Sequence, residues 1–167
     1  MKLKPLIAAL ALGVTGVAAH AADTDWGTHD LLESALSLTS GGVFNDIFTF
    51  ELGVASTVAS SISSVGSITP ALYGIFSVGA DGLIGTTDDG LASSAYSWSF
   101  GGAPTVNTAV LAAGQYYYAV FGVANGAAAY SLNSAATATP VPEPETYALL
   151  LGGLGVVGFV ARRRRAD

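Results

Sequence analysis

Phe44-Asn45-Asp46-Ile47-Phe48-Thr49-Phe50 is the most informative stretch of this 167-residue chain. In a β-strand, side chains alternate between the two faces of the sheet, so Phe44, Asp46, Phe48 and Phe50 share one face. Three phenylalanines on one face indicate a hydrophobic core. Asp46 must then be hydrogen-bonded, bound to a cation or near the sheet edge, because an unpaired buried carboxylate is too costly.

The residues around this stretch read as short strands joined by glycine-rich turns. Residues 31–39 and 43–52 alternate apolar and polar side chains, and Ser40-Gly41-Gly42 between them predicts a hairpin. The polar segment before them, residues 23–30, is expected to form a solvated turn, with Trp26 packed over the core. This half of the body therefore predicts strands.

The rest of the body continues in the same way. Residues 54–65 fit a helix as well as a strand by apolar spacing, but their β-branched and small side chains favour a strand. Asn125-Gly126 predicts a second hairpin turn. Further strands are predicted over residues 71–78, 96–100, 106–111, 115–123 and 127–134. Strands about 10 residues apart predict an all-β fold, a single antiparallel β-sandwich or jelly-roll-like domain over residues 22–134.

Charge is distributed unevenly along the chain. All six Lys and Arg residues lie near the two ends, whereas nine of the 12 Asp and Glu residues lie in the β-domain, whose formal charge is therefore −9. Without Lys or Arg the domain cannot neutralise phosphates, which argues against nucleic acid and anionic lipid headgroups as partners. The chain has no cysteine, so disulfides and thiol catalysis are excluded.

The loop Gly79 to Gly90 contains three of these acids, Asp81, Asp88 and Asp89, and many turn residues. Carboxylates in a glycine-rich loop are the hard oxygen ligands that calcium prefers. The loop lacks the regular Asp spacing and the distal Glu of a known calcium loop, and acids that brace structural turns are the alternative. We predict no cofactor and keep calcium as the open alternative.

Enzymatic motifs are missing from the body. It has a single histidine, His29, and no Gly-x-Ser-x-Gly or His-Glu-x-x-His pattern, so the usual nucleophile and base sets are absent. A carboxylate pair for glycoside cleavage is conceivable among Asp46, Glu51 and Asp88, although no spacing supports it. The alternating aromatic row Tyr96, Trp98 and Phe100 either binds sugar rings or forms one face of a half-buried strand.

The first 21 residues have the organisation of a signal peptide. Lys2 and Lys4 form a basic region, residues 6–17 are apolar, and Ala19-His20-Ala21 is a small-x-small cleavage site. We therefore expect the export translocon and signal peptidase to act on this chain, with Ala19 and Ala21 at the cleavage site and Ala22 as the first mature residue.

The last residues have the organisation of a membrane anchor. Residues 135–141 read as a linker, Pro142-Glu143-Pro144 as a stiff tether, and residues 147–161 as an uncharged helix ending in Arg162, Arg163, Arg164 and Arg165. Such a helix is about 22 Å long, short of a roughly 30 Å hydrocarbon core but able to span a thinned bilayer. The arginines would stay cytoplasmic, with the body on the other side. A buried helix of a soluble protein is the alternative.

This tail, residues 142–167, resembles the PEP-CTERM sorting signal of Gram-negative bacteria. The resemblance implies processing near Pro142-Glu143-Pro144 by an exosortase, a membrane-embedded enzyme, so that the anchor is removed. The Phe44-x-Asp46-x-Phe48 pattern, together with residues 111–118 and 126–130, is similar to the FxDxF group of PEP-CTERM proteins. That group is named for its sequence pattern, so it implies no activity. Asp46 is expected to cap or brace a turn, with a ligand role as the alternative.

Together these features predict an exported, non-enzymatic protein of the cell surface or exopolysaccharide matrix. It would cross the inner membrane of a Gram-negative bacterium, be anchored transiently, and contact the membrane only through its removable helix. The alternatives are a secreted carbohydrate-binding or calcium-dependent module, and a carboxylate-dependent glycoside hydrolase.

Overall fold

The structure is a computed structural model that describes residues 23–93, 95–139 and 144–163. In these residues the chain forms ten β-strands followed by one α-helix. They are β1 (Asp23–Thr28), β2 (Glu33–Thr39), β3 (Gly42–Leu52), β4 (Ser56–Val65), β5 (Ile68–Ser77), β6 (Gly90–Leu91), β7 (Ser97–Ser99), β8 (Asn107–Leu111), β9 (Gly114–Ala124), β10 (Ala128–Ala138) and α1 (Pro144–Arg163).

The strands form two sheets. Sheet I has the order β1-β3-β9-β5-β6, with β7 also paired to β5, and sheet II has the order β2-β10-β4-β8. All pairs are antiparallel except β1 with β3, which is parallel. The predicted all-β fold, an antiparallel sandwich, is confirmed. The predicted strand over residues 54–65 is confirmed by β4.

The core lies between the two sheets and is centred on β3. Phe44, Phe48 and Phe50 are at most 2% exposed, and they face Ile62 and Leu132 of sheet II across the sandwich. The alternation predicted from residues 44–50 is confirmed, because the intervening side chains are only half-buried on the other face. Apolar side chains at every second position therefore hold the sheets together.

Both predicted hairpins are wrong. β2 and β3 belong to different sheets, and so do β9 and β10. The connections are sharp corners that use glycines with positive φ, at 127° for Gly41, 95° for Gly42 and 90° for Gly126. A glycine corner between facing sheets and a glycine hairpin within one sheet have the same local signature, since both need backbone conformations that L side chains rarely adopt.

The ends of the domain also differ from the prediction. The segment expected to be a solvated turn, residues 23–30, is mostly strand β1, although Trp26 packs against the core as predicted. The predicted linker begins too early, because β10 continues to Ala138, which pairs with Ser56. Thr139 then donates its amide to Ala55 O at 2.8 Å. Both segments join the sheets through backbone hydrogen bonds. The pattern of side chains along the sequence does not reveal such bonds.

The two sheets differ in how their outer faces are covered. The loop after β5 folds over sheet I, where Val78 and Leu91 pack on Phe76, Tyr117 and Ala119. On the outer face of sheet II, Leu36, Leu38 and Val65 are 68%, 72% and 76% exposed. Sheet I is therefore sandwiched on both sides, whereas sheet II presents apolar side chains to solvent.

Helix α1 contains the predicted helical residues 147–161, with Arg162 and Arg163 in its last turn. The sequence predicts a membrane span here, but within the described part of the chain no helix combines the length and apolar character needed to cross a membrane. The signal peptide over residues 1–21, with Ala19 and Ala21, lies outside the described residues, as do Pro142, Glu143, Arg164 and Arg165.

Candidate functional site

Asp46 lies in the core and connects the two sheets. Its side chain is 1% exposed on the inner face of β3. Ser37 Oγ on β2 and Tyr130 Oη on β10 both donate to Asp46 Oδ2, at 2.7 Å and 2.5 Å. Of the alternatives open for this carboxylate, the structure selects hydrogen bonding. It braces sheet against sheet, rather than the turn expected from the sequence.

Further side-chain hydroxyl groups form hydrogen bonds in the core. Tyr118 Oη lies 2.9 Å from Ser134 Oγ, which is also 2.8 Å from His29 Nε2. Burial raises the pKa of Tyr118 to about 12, and burial together with the Asp46 carboxylate raises the pKa of Tyr130 strongly. Both phenols therefore keep their protons near neutral pH and act as hydrogen-bonding groups, not as reactive phenolates.

The three residues of the Phe-x-Asp-x-Phe pattern are all 2% exposed or less. They are Phe44, Asp46 and Phe48. Phe44 stacks on Tyr130 with ring centroids 5.6 Å apart, and Phe48 lies 5.6 Å from Trp26. Side chains buried to this degree cannot touch a ligand at the surface. Their place in the fold is structural.

Asp89 organises the acidic loop between β5 and β6. Its Oδ1 accepts a hydrogen bond from the Gly79 amide at 2.7 Å, and its Oδ2 accepts from the Gly85 amide at 2.6 Å. Tyr117 Oη donates to the same oxygen at 3.1 Å, which ties the loop to sheet I. Burial and the Asp89 charge raise the pKa of Tyr117 well above its ordinary value.

The other two acids of this loop also accept hydrogen bonds from it. Thr86 Oγ1 donates to Asp88 Oδ1 at 2.5 Å, and the Asp81 amide donates to Asp88 Oδ2 at 3.3 Å. These donors lower the pKa of Asp88. The Leu83 amide donates to Asp81 Oδ1 at 2.9 Å. In the described residues no group of three or more His, Cys, Asp or Glu side chains is placed to hold a metal ion. The contacts match the turn-bracing alternative.

The three carboxylates considered for glycoside cleavage do not form a pair around one bond. Asp46 points into the core, whereas Glu51 is exposed on the opposite face of β3 and Asp88 belongs to the loop. The structure instead places Glu51 in a cleft of about 250 Å³ with Asp25. The parallel pairing of β1 with β3 places Asp25 in this cleft. No local sequence pattern predicts that pairing.

A second cavity, of about 200 Å³, opens beside β5 and β8. Asn107 Nδ2 donates to Tyr73 Oη at 2.7 Å on its wall, and Phe100 adds an aromatic surface 6.4 Å from the Tyr73 ring. Of the described residues that line it, none is charged. They are Ile62, Tyr73, Ser99, Phe100, Gly102, Ala103, Thr105 and Asn107.

The aromatic row of residues 96–100 contributes to this region, but not as an exposed platform. Its strand is only three residues long, Ser97–Ser99, and Tyr96, Trp98 and Phe100 are partly buried against the core. The Trp98 ring lies 5.2 Å from Tyr73. The row therefore forms the half-buried face of a strand, as one of the two sequence interpretations had it, and only Phe100 lines the cavity.

Comparison with known proteins identifies the end of the chain. The PEP-CTERM protein-sorting motif matches residues 140–165, which include all of α1 with its basic last turn. This chain carries the PEP-CTERM motif, which marks it as an exported protein that an exosortase processes at a membrane-anchored sorting signal. No curated protein matches the chain.

Two solved structures are similar to this chain. One is the pre-peptidase C-terminal domain of a collagenase from Bacillus anthracis, with 15% identity over 72% of this chain and 99% of that chain and a TM-score of 0.44. The other is PliG from Aeromonas hydrophila, a periplasmic inhibitor of g-type lysozyme, with 12% identity over 70% of this chain and 99% of that chain and a TM-score of 0.40.

Proposed function

We propose that this chain delivers a non-enzymatic β-sandwich to the cell surface or exopolysaccharide matrix. The observation that carries the proposal is where the sorting motif begins. The motif starts at residue 140, and the last strand contact of the sandwich is the pairing of Ala138 with Ser56. Cleavage near Pro142-Glu143-Pro144 would therefore release a domain that keeps all ten described strands.

The route to the surface follows from the two ends of the chain. The export translocon would take the chain across the inner membrane of a Gram-negative bacterium, and signal peptidase would cut after Ala21. Residues 147–161 would then anchor it, with Arg162 to Arg165 in the cytoplasm, until exosortase removes the tail. The anchor is temporary because the hydrophobic tail is removed, as it is in other cleaved hydrophobic C-terminal signals.

Mass spectrometry of the released protein tests this route. We expect a first residue of Ala22 and a last residue between Pro142 and Pro144. Changing Glu143→Ala, which alters the central residue of the motif, is expected to leave an unprocessed form in the membrane fraction. Glu145→Ala is the matched control, because it removes a neighbouring acid outside the Pro-Glu-Pro sequence and should be processed normally.

Two results would contradict this proposal. One is a released protein that still carries Arg162 to Arg165, because that tail would then not be disposable. The other is normal processing of the Glu143→Ala variant, which would show that exosortase does not require the Pro-Glu-Pro sequence.

The neutral cavity favours saccharide binding as a second candidate function. It combines a ring surface from Phe100 with the Asn107 amide and the hydroxyl groups of Ser99 and Thr105, while Tyr73 forms its buried floor. An apolar ring face and hydrogen-bonding groups without charge suit an uncharged sugar. The cavity of about 200 Å³ is smaller than the roughly 300 Å³ at which sites for drug-sized ligands begin, so it would hold a single sugar unit.

Saturation-transfer NMR with methyl pyranosides tests saccharide binding. We expect transfer from the protein to at least one of the gluco, manno and galacto forms. Asn107→Ala should weaken that binding about fivefold, because one hydrogen bond is worth about 1 kcal/mol. Asn133→Ala on β10 is the control, because Asn133 does not line the cavity. No transfer from any of the three sugars, or equal binding by both variants, would reject this candidate.

A further inference from the structure

We propose that two copies of this chain associate through β2, edge to edge, so that their four-stranded sheets II form one continuous eight-stranded sheet. This inference goes beyond the sorting route and concerns what the β-domain does once it is folded. The edges of the two sheets differ in how well they are protected against pairing with another strand. An edge strand has unpaired N–H and C=O groups that can pair with any other strand, and most proteins prevent such pairing.

The β1 edge of sheet I is blocked by charge and by geometry. Asp23 and Asp25 lie on this strand, in a domain without Lys or Arg to neutralise them. The Asp25 carboxylate accepts a hydrogen bond from the Gly27 amide of its own strand at 2.9 Å. The pairing register also shifts between Asp25 and Thr28. A second acidic copy would be repelled here, and an irregular edge pairs poorly.

The β8 edge of sheet II is blocked by a tyrosine. Tyr96 Oη accepts a hydrogen bond from the Val110 amide at 3.0 Å and donates to the Val110 carbonyl at 3.2 Å. These are the two backbone groups through which a neighbouring strand would pair with Val110. On the far side of sheet I, β6 and β7 have two and three residues, too short to hold a further strand.

The β2 edge is less protected in the described structure, with one acid, Glu33, at its first residue. Its seven residues pair with β10 on one side, and among the described residues no strand lies on the other. Residues 34–39 include no charged residue and no proline. Leu36 and Leu38 are 68% and 72% exposed, and Leu31 and Leu32 just before the strand are 82% and 66% exposed. An uncharged edge with exposed leucines is a site for strand addition.

A second copy of this chain fits this edge because β2 can pair antiparallel with itself over its full length. The domain has nine acids and no Lys or Arg, so two copies repel overall, and residues 34–39 form a stretch of edge on which no carboxylates meet. Antiparallel pairing over the full length of β2 places Leu36 opposite Leu36 of the other copy. It also places Glu33 opposite Thr39, so that no carboxylates face each other.

The same pairing extends an apolar strip that already exists within one copy. On the outer face of sheet II, Leu38 pairs with Ala129, and Ala129 pairs with Val65. The two-fold axis would join the strips of two copies through the four leucines at positions 36 and 38. Backbone hydrogen bonds would supply affinity, and the leucine cluster would set the register.

Cysteine cross-linking of the full chain in cells tests this arrangement, because the natural chain has no cysteine. In Leu36→Cys the two introduced thiols would lie on directly opposed residues, with Cα atoms about 4.5 to 5.5 Å apart, a spacing that suits a disulfide. Val110→Cys is the matched control, because Val110 is 64% exposed but lies on the blocked β8 edge. We expect a disulfide-linked dimer from Leu36→Cys only, whether or not the tail has been removed.

Light scattering on the released protein gives the second readout. The natural protein is expected to have the mass of two chains. Leu36→Glu is expected to have the mass of one, while Val110→Glu stays dimeric. Equal cross-linking at both positions, or a natural protein that is monomeric, would overturn the proposal. Cross-linking of Leu36→Cys to a different protein would overturn it in favour of another strand donor.

Discussion

Replacing Asp46 by alanine is expected to lower the free energy of unfolding by about 3 to 5 kcal/mol, because two hydrogen bonds to a buried carboxylate are lost and the Tyr130 hydroxyl stays buried without this acceptor. Ser37 Oγ and Tyr130 Oη both point at Asp46 Oδ2, and each comes from a strand of the opposite sheet. The change would therefore weaken the contact between sheets, not within one.

Chemical denaturation of the released domain measures this effect. Asp23→Ala is the control, because Asp23 is an exposed acid on the neighbouring strand β1 and should leave the denaturation midpoint almost unchanged. In Asp46→Asn the side chain keeps its shape, so a smaller loss is expected. A double-mutant cycle with Tyr130→Phe should show coupling, since the two groups share one hydrogen bond. Equal midpoints for Asp46→Ala and Asp23→Ala would contradict the bracing role.

Gly122→Ala is expected to lower the free energy of unfolding by about 1 to 3 kcal/mol, the usual effect of overpacking a core. Gly122 lies on the inner face of β9, and an added Cβ would stand 2.5 Å from Phe44 Cζ and 2.6 Å from Ile68 Cγ2. The sign of this change is informative. Glycine to alanine in a strand is otherwise favourable, because alanine lowers the entropy of the unfolded chain.

Gly90→Ala is the matched control for this substitution. Gly90 is also a strand residue, but no atom lies within 4 Å of the place where its Cβ would stand. It should therefore be neutral or slightly stabilising in thermal melts. A second variant, Gly122→Ala with Phe44→Leu, should recover part of the loss, because leucine removes the ring atoms that clash. A stable Gly122→Ala variant would show that Phe44 and Ile68 can move away without loss.

Both substitutions act on the sandwich and leave the sorting motif intact. The motif begins at residue 140, after the last strand. Failure to fold and failure to be processed are therefore separable results: Asp46→Ala should unfold more easily but keep its Pro-Glu-Pro sequence, whereas Glu143→Ala should fold normally but stay attached. The edge pairing through β2 forms a third independent property of the chain.

Local side-chain pattern was enough to place most strands. The alternation around Asp46 predicted which side chains face the core, because a strand turns successive residues to opposite faces whatever the rest of the chain does. The tail was predictable for a similar reason. Its tripeptide, apolar run and arginines are read in order along the chain, and the match over residues 140–165 confirms the sorting motif.

The local pattern of side chains could not predict which strands pair. Ser40-Gly41-Gly42 and Asn125-Gly126 were predicted as hairpins, but each carries the chain from one sheet to the other. Both faces of a sandwich core accept the same alternating strand, so the choice between them depends on packing far away in sequence. The parallel addition of β1 to β3, which creates the cleft of Asp25 and Glu51, has the same origin.

The sequence by itself determined that the chain is an acidic, cysteine-free β-protein with a sorting motif, because composition, alternation and motif order are properties of neighbouring residues. Only the tertiary structure decided the rest. Asp46 became a brace between sheets because Ser37 and Tyr130 approach it from the opposite sheet. β2 is the less protected edge because Tyr96 covers β8, and because β1 carries two acids and an irregular register whereas β2 carries one acid. Contacts of that kind exist only after the strands have paired.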